Sequence, residues 1–471
     1  MDIIHISAEC YPAAKAGGLG DVVGALPKYQ TLAGHSAMVI MPFYHGKFRS
    51  ENEFRTVFSG HARLGHTNYQ FHVLELTENK LGFELRMIDI PGLFDRPNIY
   101  SYHDDTERFI TFQIATMNWL NHRETLPDVV HCHDSHTGFI PFMMSKVREY
   151  GRFEHVPTVF TIHNGQYQGQ FGFDKLYFLP PFHSYFNGLV EWHNLINPLA
   201  SAIKCAWRVT TVSTSYLDEI SHSMKGMEEL LRQERGKSVG ILNGIDAVVW
   251  NPETDPMLEQ TYDIKTIAEG KAANKEALCK QFGLNPEKPL FTFIGRLVGE
   301  KGADILPDVV YQVMKTWPDE QSILILGSGE PDIEQALLYQ EKEFSGNYCS
   351  YIGYNEKLSH LIYAGADFLL MPSRVEPCGL NQLYALRYGT VPVVRRTGGL
   401  RDTVIDIGDG GFGICHDQCN THDVMHSIHR AKSFFRNKRS FNKIRKQIMQ
   451  IDHSWNKAAE DYIGLYQSLK I

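Results

Sequence analysis

Five segments of the chain place charged or titratable side chains beside glycines, each directly after a short apolar run. The first is Glu9–Asp21, which contains Lys15-Ala16-Gly17-Gly18-Leu19-Gly20. Glycines ahead of a helix let backbone N–H groups approach an anion, and the helix start favours negative charge. Lys15 adds a full positive charge. Gly18, Gly20 and Gly24 do not have the spacing of the dinucleotide G-x-G-x-x-G, and no Gly-Lys-Ser/Thr closes the loop as in a P-loop. The loop therefore points to anion binding, with a plain packing turn as the alternative.

The second segment is His131-Cys132-His133-Asp134-Ser135-His136. Its composition invites a metal reading, and His131 and His133 would share one face of a strand. No remote Cys or His cluster completes a ligand set, so a polar site wall is expected, with no metal. The third is His163-Asn164-Gly165, where a single histidine is either a satisfied core residue or a functional one. Its place at the end of an apolar run, beside an asparagine and a glycine, brings the functional reading level with the structural one. In the fourth, Gly295-Arg296-Leu297 precedes Gly299-Glu300-Lys301-Gly302. Two fixed cations at a strand end and a helix start are what a departing pyrophosphate needs; a solvated surface pair is the alternative. The fifth, Pro372-Ser373-Arg374-Val375-Glu376-Pro377-Cys378-Gly379-Leu380, holds a glutamate between prolines ahead of a helix. Thr397-Gly398-Gly399-Leu400 opens a further helix and echoes the N-terminal glycine loop.

Positioning these groups requires strands that end where the clusters begin. The apolar runs predict strands at Ile3–Ala8, Met38–Pro42, Phe71–Leu76, Leu85–Ile90, Val129–Cys132, Thr158–Ile162 and Val209–Val212, with Phe71–Leu76 and its neighbour forming a hairpin. Helices are expected at Asp21–Ala33, Thr106–Asn121 and Phe139–Tyr150. The second half predicts strands at Leu290–Ile294, Ile323–Leu326, Tyr351–Ile352, Phe368–Met371 and Val391–Val394. Helices there are Ala303–Thr316, Pro331–Phe344, Lys357–Ala364 and Leu380–Tyr388, then Val424–Ile451 and Ser454–Leu469. Strand–helix alternation means βαβ units and parallel sheets, and continuous apolar strands mean helices on both faces. The fold class is α/β, with two Rossmann-like doubly wound domains facing across a cleft. The expected domains are 1–240, 241–450 and a tail, 451–471, that packs back on the first. Ligands in such sheets bind outside the carboxyl ends of the strands, where all five clusters fall.

Bulk properties exclude several classes. Of 471 residues, 43% are hydrophobic and 21% charged, as in ordinary globular chains and unlike disordered ones. A net charge of −8 argues against nucleic-acid and anionic-membrane partners. Met1–Ile6 is expected to be a first strand and not a signal peptide, and no run reaches the ~18 apolar residues of a membrane span. Eight scattered cysteines, among them Cys415 and Cys419 in an expected loop, point to free thiols and a cytoplasmic enzyme.

Taken in order, Lys-x-Gly-Gly-Leu, Asp-Val-Val-His-x-His-Asp, Leu242-Asn243-Gly244-Ile245-Asp246, Arg374–Leu380 and Thr397–Leu400 form a pattern. The chain resembles bacterial glycogen synthases and plant starch synthases, retaining glucosyltransferases with a GT-B fold, over essentially its whole length. The resemblance implies transfer of glucose from ADP-glucose (or UDP-glucose) to the non-reducing end of an α-1,4-glucan, without a cofactor. It implies that Lys15 and Gly18 lie over the donor phosphates and that Arg296 and Lys301 neutralise the departing diphosphate. Tyr354 would stack on the base, and Gly379, Leu380 and Asn381 would bind phosphate and glucose through their backbones. His163 would hydrogen-bond the sugar near its anomeric carbon, and Glu376 would fix glucose hydroxyls. Tyr100, Asp134, Asn164 and Asn243 match positions on the glucose and acceptor side.

The chain departs from the family pattern at Ala16, where threonine is common, at Ser135, where a bulky aromatic is common, and at Gly165-Gln166-Tyr167, where Leu-Ala-Tyr is common. The last two bear on acceptor preference. With no carbohydrate-binding extension expected, glucan affinity would come from the catalytic body. The rival readings are another GT-B transferase, such as a sucrose synthase or a phosphorylase-like enzyme, and a catalytically silent glucan-binding protein. The glycine spacing weakens a dehydrogenase.

Overall fold

The computed structural model describes residues 1–469. The chain divides into two units: Met1–Leu242 together with the final helix Trp455–Gln467, and Asn243–Ser454.

The first unit is built on nine strands: β1 (Asp2–Ile6), β2 (Ser36–Pro42), β3 (Phe54–Leu64), β4 (Thr67–Leu76), β5 (Glu84–Asp89), β6 (Val129–His133), β7 (Thr158–Ile162), β10 (Arg208–Thr211) and β11 (Ser238–Gly240). Between β7 and β10, the short strands β8 (Glu191–Trp192) and β9 (Leu195–Ile196) pair only with each other. The sheet order is β11-β10-β7-β6-β1-β2-β5-β4-β3. The chain leaves β1 toward β2 on one side and returns at β6 on the other, so the crevice between β1 and β6 is the switch point where ligands enter doubly wound sheets. Strands β6 and β7 are buried throughout, although β6 carries His131 and His133.

The expected hairpin exists as the antiparallel pair β4–β5, but β4 also pairs with β3, which the apolar pattern missed. Strand β3 is an edge strand with most of its residues exposed, so Phe-Arg-Thr-Val-Phe-Ser-Gly-His-Ala-Arg-Leu carries little apolar signal. The final helix packs Trp455, Ala458, Tyr462 and Tyr466 against Ile3, Val22, Leu26 and Val129, inside the first unit's core.

The second unit carries β12 (Leu290–Leu297), β13 (Ser322–Gly329), β14 (Tyr348–Ile352), β15 (Phe368–Met371), β16 (Val391–Arg395) and β17 (Ile414–His416), all parallel, in the order β14-β13-β12-β15-β16-β17. Its switch point lies between β12 and β15. The segment around Cys415, expected as a loop with two unpaired thiols, is in part a strand. Cys415 lies buried beside Val394, and burial pushes its thiol up to about 12. The long helix expected over Val424–Ile451 is two helices, Thr421–Arg436 and Lys438–Ile448. They break at Asn437, whose side chain accepts from Ser440 N–H at 3.2 Å.

One helix, Ile267–Phe282, had no sequence signal because lysines occupy its inner face. Lys271 Nζ donates to the carbonyls of Tyr363, Ala364 and Tyr388 and to Thr390 Oγ1, at 2.8–3.2 Å. Lys275 Nζ sits 2.7 Å from Asp367, which also pairs with Arg445. One carboxylate thus neutralises two buried cations. Replacing one partner of a buried ion pair strands the other charge at a cost of about 3–5 kcal/mol. Asp367→Ala is therefore expected to lower the unfolding free energy of the second unit by that order, measured by urea denaturation; a loss under about 1 kcal/mol would mean that water satisfies the cations.

Candidate active site

In the second unit the segments following β12 and β15 are stitched together across the switch point. Lys301 closes a short turn, Gly299–Lys301, and its ammonium donates to both oxygens of Glu376 at 2.6 and 2.7 Å. Glu376 is 6% exposed, and Ser373 Oγ donates to it at 3.0 Å. The Arg374 and Val375 N–H groups donate to the carbonyl of Glu300, and the Arg374 guanidinium donates to Gly299 O and to Asp304. Gly302 has a left-handed φ of +68°, and a Cβ there would lie 2.4 Å from Pro372 O. Only glycine lets the two segments approach so closely.

The Thr397–Leu400 segment braces the same structure from β16. A Cβ at Gly398 would lie 2.0 Å from Glu376 O and one at Gly399 1.9 Å from Cys378 O, while Gly399 N–H donates to Glu376 O at 3.0 Å. These glycines hold the backbone of Glu376 and Cys378; the echo of the N-terminal loop expected from sequence is one of composition and not of role. Gly379, at φ +74°, turns the chain into the helix Asn381–Arg387, with Leu380 as its N-cap residue. Asn381 Nδ2 donates to Ile294 O at 2.6 Å and ties this helix start to β12. Arg296 is two-thirds exposed and 3.6 Å from Glu300. Tyr354 is strongly exposed just past β14. Asn243 is buried, and its Oδ1 has no hydrogen-bond partner among the described residues.

In the first unit the glycine loop follows β1. Glu9, 3% exposed, accepts from Ala16 N–H (2.6 Å) and Gly17 N–H (3.0 Å) through Oε2, and from Tyr100 OH (2.7 Å) through Oε1. One carboxylate thereby shapes the loop and holds Tyr100, which stacks on His136 at 4.7 Å. A Cβ at Gly17 or Gly18 would meet nothing within 4 Å, so packing does not demand glycine there, and the backbone is open to approach. Gly24 differs: its Cβ would lie 2.4 Å from Tyr11 O. Lys15 pairs with Asp21 at 2.7 Å, both partly exposed. Sequence reading counted Glu9 only as the loop's first residue. An acid between a strand end and a glycine loop was the available signal.

Asp134 leaves β6 with φ +55°, and its carboxylate accepts from His163 N–H at 2.8 Å, fixing the loop that follows β7. Burial raises the Asp134 carboxyl to about 7. Asn164 Oδ1 accepts from Gln166 N–H at 3.0 Å. Burial pushes the His163 imidazole down to about 3 and His136 to about 4. Behind them lie His5, lowered to about 4 by burial despite its bond to Gln30, and His131 and His133, lowered well below the ordinary value by burial. The histidine trio that the fold assembles is His5, His131 and His133, with ring nitrogens within 4.8 Å of one another, and not the sequence cluster with Asp134 and His136. Each of its six nitrogens is already engaged in a hydrogen bond.

Two predictions follow from this geometry. Each of these buried rings is held neutral with a folded-state pKa below the ordinary 6.5, so below that pH the unfolded chain binds more protons and stability falls. The unfolding free energy is expected to drop between pH 6.5 and 4, with net uptake of more than one proton on unfolding, because the one proton that Asp134 holds in the folded state opposes the five rings without cancelling them. A flat profile in urea titrations across that range would place the rings in contact with solvent. Gly399→Ala is expected to cost several kcal/mol or abolish soluble expression, and an unchanged melting temperature would show that the backbone at Cys378 can give way.

A family model described as "Starch synthase catalytic domain" matches residues 2–233, and one described as "Glycosyl transferases group 1" matches residues 274–443. The chain is 55% identical to a glycogen synthase of Flavobacterium johnsoniae over 99% of this chain and 98% of that one. It is 38% identical to a glycogen synthase of Bacillus cereus across the full length of both. Among solved structures, the catalytic domain of Starch Synthase IV from Arabidopsis thaliana bound to ADP and acarbose superposes with a TM-score of 0.88 at 31% identity, covering 99% of each chain. Sucrose-phosphate synthase from Thermosynechococcus elongatus, at 17% identity and a TM-score of 0.64 over 99% of this chain and 98% of that one, shares the fold. With relatives this similar along its whole length, the chain belongs to the glycogen and starch synthase family of GT-B glucosyltransferases.

Proposed function

We propose that this enzyme transfers the glucosyl unit of ADP-glucose to the non-reducing end of an α-1,4-glucan, with retention and release of ADP. The observation that carries the reading is the Lys301–Glu376 pair, held at 2.6–2.7 Å at the switch point of the second unit. Transfer breaks the bond between the sugar C1 and the diphosphate oxygen, joins C1 to the acceptor O4 and frees the acceptor's hydroxyl proton. Negative charge grows on the diphosphate while positive charge grows on the sugar ring. A cation already oriented stabilises the first without reorganising at the moment of reaction. Lys301, oriented by Glu376, supplies that cation, and Arg296 adds a second from a more exposed position.

The other roles follow the chemistry of each position. The N–H groups of Gly379, Leu380 and Asn381 at a helix start favour phosphate oxygens. Tyr354 offers an exposed aromatic face to the base. Lys15 and the open backbone at Gly18 suit the donor phosphates. Glu376 has oxygen lone pairs for glucose hydroxyls, and Asn243, with an unpaired buried oxygen, suits a hydroxyl donor. His163, uncharged, accompanies the sugar without opposing its positive charge. Tyr100, Asp134 and Asn164 line the glucose and acceptor side. The ADP of the Arabidopsis enzyme's structure supports adenine over uracil in the donor. All eight cysteines are free thiols, which fits a reducing compartment, and the cytoplasm is the proposed location. No helix among the described residues is long and apolar enough to cross a membrane.

Nucleotide release with glycogen, comparing ADP-glucose and UDP-glucose with and without acceptor, tests the reaction and the donor together. Acceptor-dependent ADP release is the expected result. Acceptor-dependent UDP release would correct the donor, and binding of glycogen without release of either would replace the enzyme by a glucan-binding protein. Lys301→Ala is expected to lower kcat on the order of 10²-fold or more while the protein remains folded. An unchanged rate would remove Lys301 from the diphosphate.

A further inference from the structure

Four side chains, three of them on separate elements, form one unbroken buried chain of hydrogen bonds ending at His163. Gln30, on the helix Gly18–Leu32, places Oε1 2.8 Å from His5 Nε2 on β1. His5 Nδ1 lies 3.0 Å from Nε2 of His133, the last residue of β6. His133 Nδ1 lies 3.0 Å from His163 Nε2, just past β7. Gln30, His5 and His133 are fully buried and His163 nearly so.

The chain has a direction. An amide oxygen only accepts, so His5 carries its proton on Nε2. A neutral imidazole has one N–H, so His5 Nδ1 accepts from His133 Nε2–H, and His133 Nδ1 accepts from His163 Nε2–H. His163 is left with a bare Nδ1. A second buried branch leaves the same amide and takes its direction from it. Gln30 Nε2 donates to Tyr466 OH at 3.3 Å, Tyr466 donates to His131 Nδ1 at 2.6 Å, and His131 Nε2–H donates to Thr161 Oγ1 at 2.6 Å. Turning the amide over would reverse every bond in both branches.

We propose that Gln30, His5 and His133 are positioning residues that hold His163 in the Nε2–H tautomer, making its Nδ1 an uncharged acceptor for a sugar hydroxyl. The proposal rests on the reading of His163 as a residue that meets the sugar. It explains why the groups behind this histidine are neutral. Where a carboxylate backs an active-site histidine, it stabilises the imidazolium that forms. Here two neutral rings and an amide oxygen offer no such compensation. An imidazolium beside a sugar ring gaining positive charge would raise the barrier, and this network disfavours one.

The test uses the full chain labelled with 15N-histidine, with the His163 signals assigned by their loss in His163→Gln. Long-range 1H–15N spectra of the unsubstituted protein at neutral pH are expected to show Nε2 protonated and Nδ1 bare; the opposite tautomer would overturn the proposal without any variant having to fold. Gln30→Met keeps the side chain's length and removes the terminal acceptor. It is expected to shift the His163 signals away from that tautomer and to lower kcat roughly tenfold, the worth of one misdirected hydrogen bond, with the KM for the nucleotide sugar within twofold. An unchanged tautomer in Gln30→Met would show that the network does not set it. Full turnover by His163→Ala would remove the histidine from the reaction while leaving the tautomer result intact, so the two failures are distinct.

Discussion

An ammonium and a carboxylate, both largely removed from water, have to stay within 2.7 Å of each other at the point where the strand order of the second sheet reverses. Neither Lys301 nor Glu376 belongs to a strand or long helix, so the pair cannot be held by regular structure alone. Left-handed Gly302 brings one segment against Pro372, and Gly398 and Gly399 bring a third segment against the other. Arg374 binds back to Gly299 and Asp304, and Ser373 adds a third hydrogen bond to the carboxylate. Each is a short-range device that removes freedom from one member of the pair. The glycines are packing requirements here: a methyl group at any of the three would meet a carbonyl oxygen within 2.4 Å.

The first unit solves a related problem with different chemistry. Its switch-point groups are anchored by one carboxylate, Glu9, which shapes the glycine loop and holds Tyr100, and by Asp134, which fixes the backbone at His163. Beneath them the interior carries uncharged rings. In the proposed reaction both units meet both partners of the charge separation: Lys301 and Lys15 are the cations for the leaving anion, and His163, Glu376 and Asn243 are the groups for the sugar.

Much of this was legible in the sequence because doubly wound sheets place chemistry after strands. Lys15, His163, Lys301 and Glu376 were singled out by their position following apolar runs, and each does lie in a segment that follows a strand. The elements missed lacked that contrast. Strand β3 lies at a sheet edge with most of its residues exposed, and the helix Ile267–Phe282 hides its inner face behind Lys271 and Lys275, whose partners are distant in sequence. Gln30 and His5 read as a helix residue and a strand residue. Their link to His163 depends on three-dimensional pairing across 128 and 30 residues of chain, which no local pattern encodes.

In the proposed reaction the Lys301 cation acts on the departing diphosphate because Glu376 holds it there. A double-mutant cycle on the rate of acceptor-dependent nucleotide release, with Lys301→Ala, Glu376→Ala and the double variant, addresses it directly. Residues acting as a unit lose nearly everything when either is removed. The account predicts that the double variant is within a few-fold of the slower single variant. A double variant slowed by the product of the two single losses would show that the residues act independently and would contradict it.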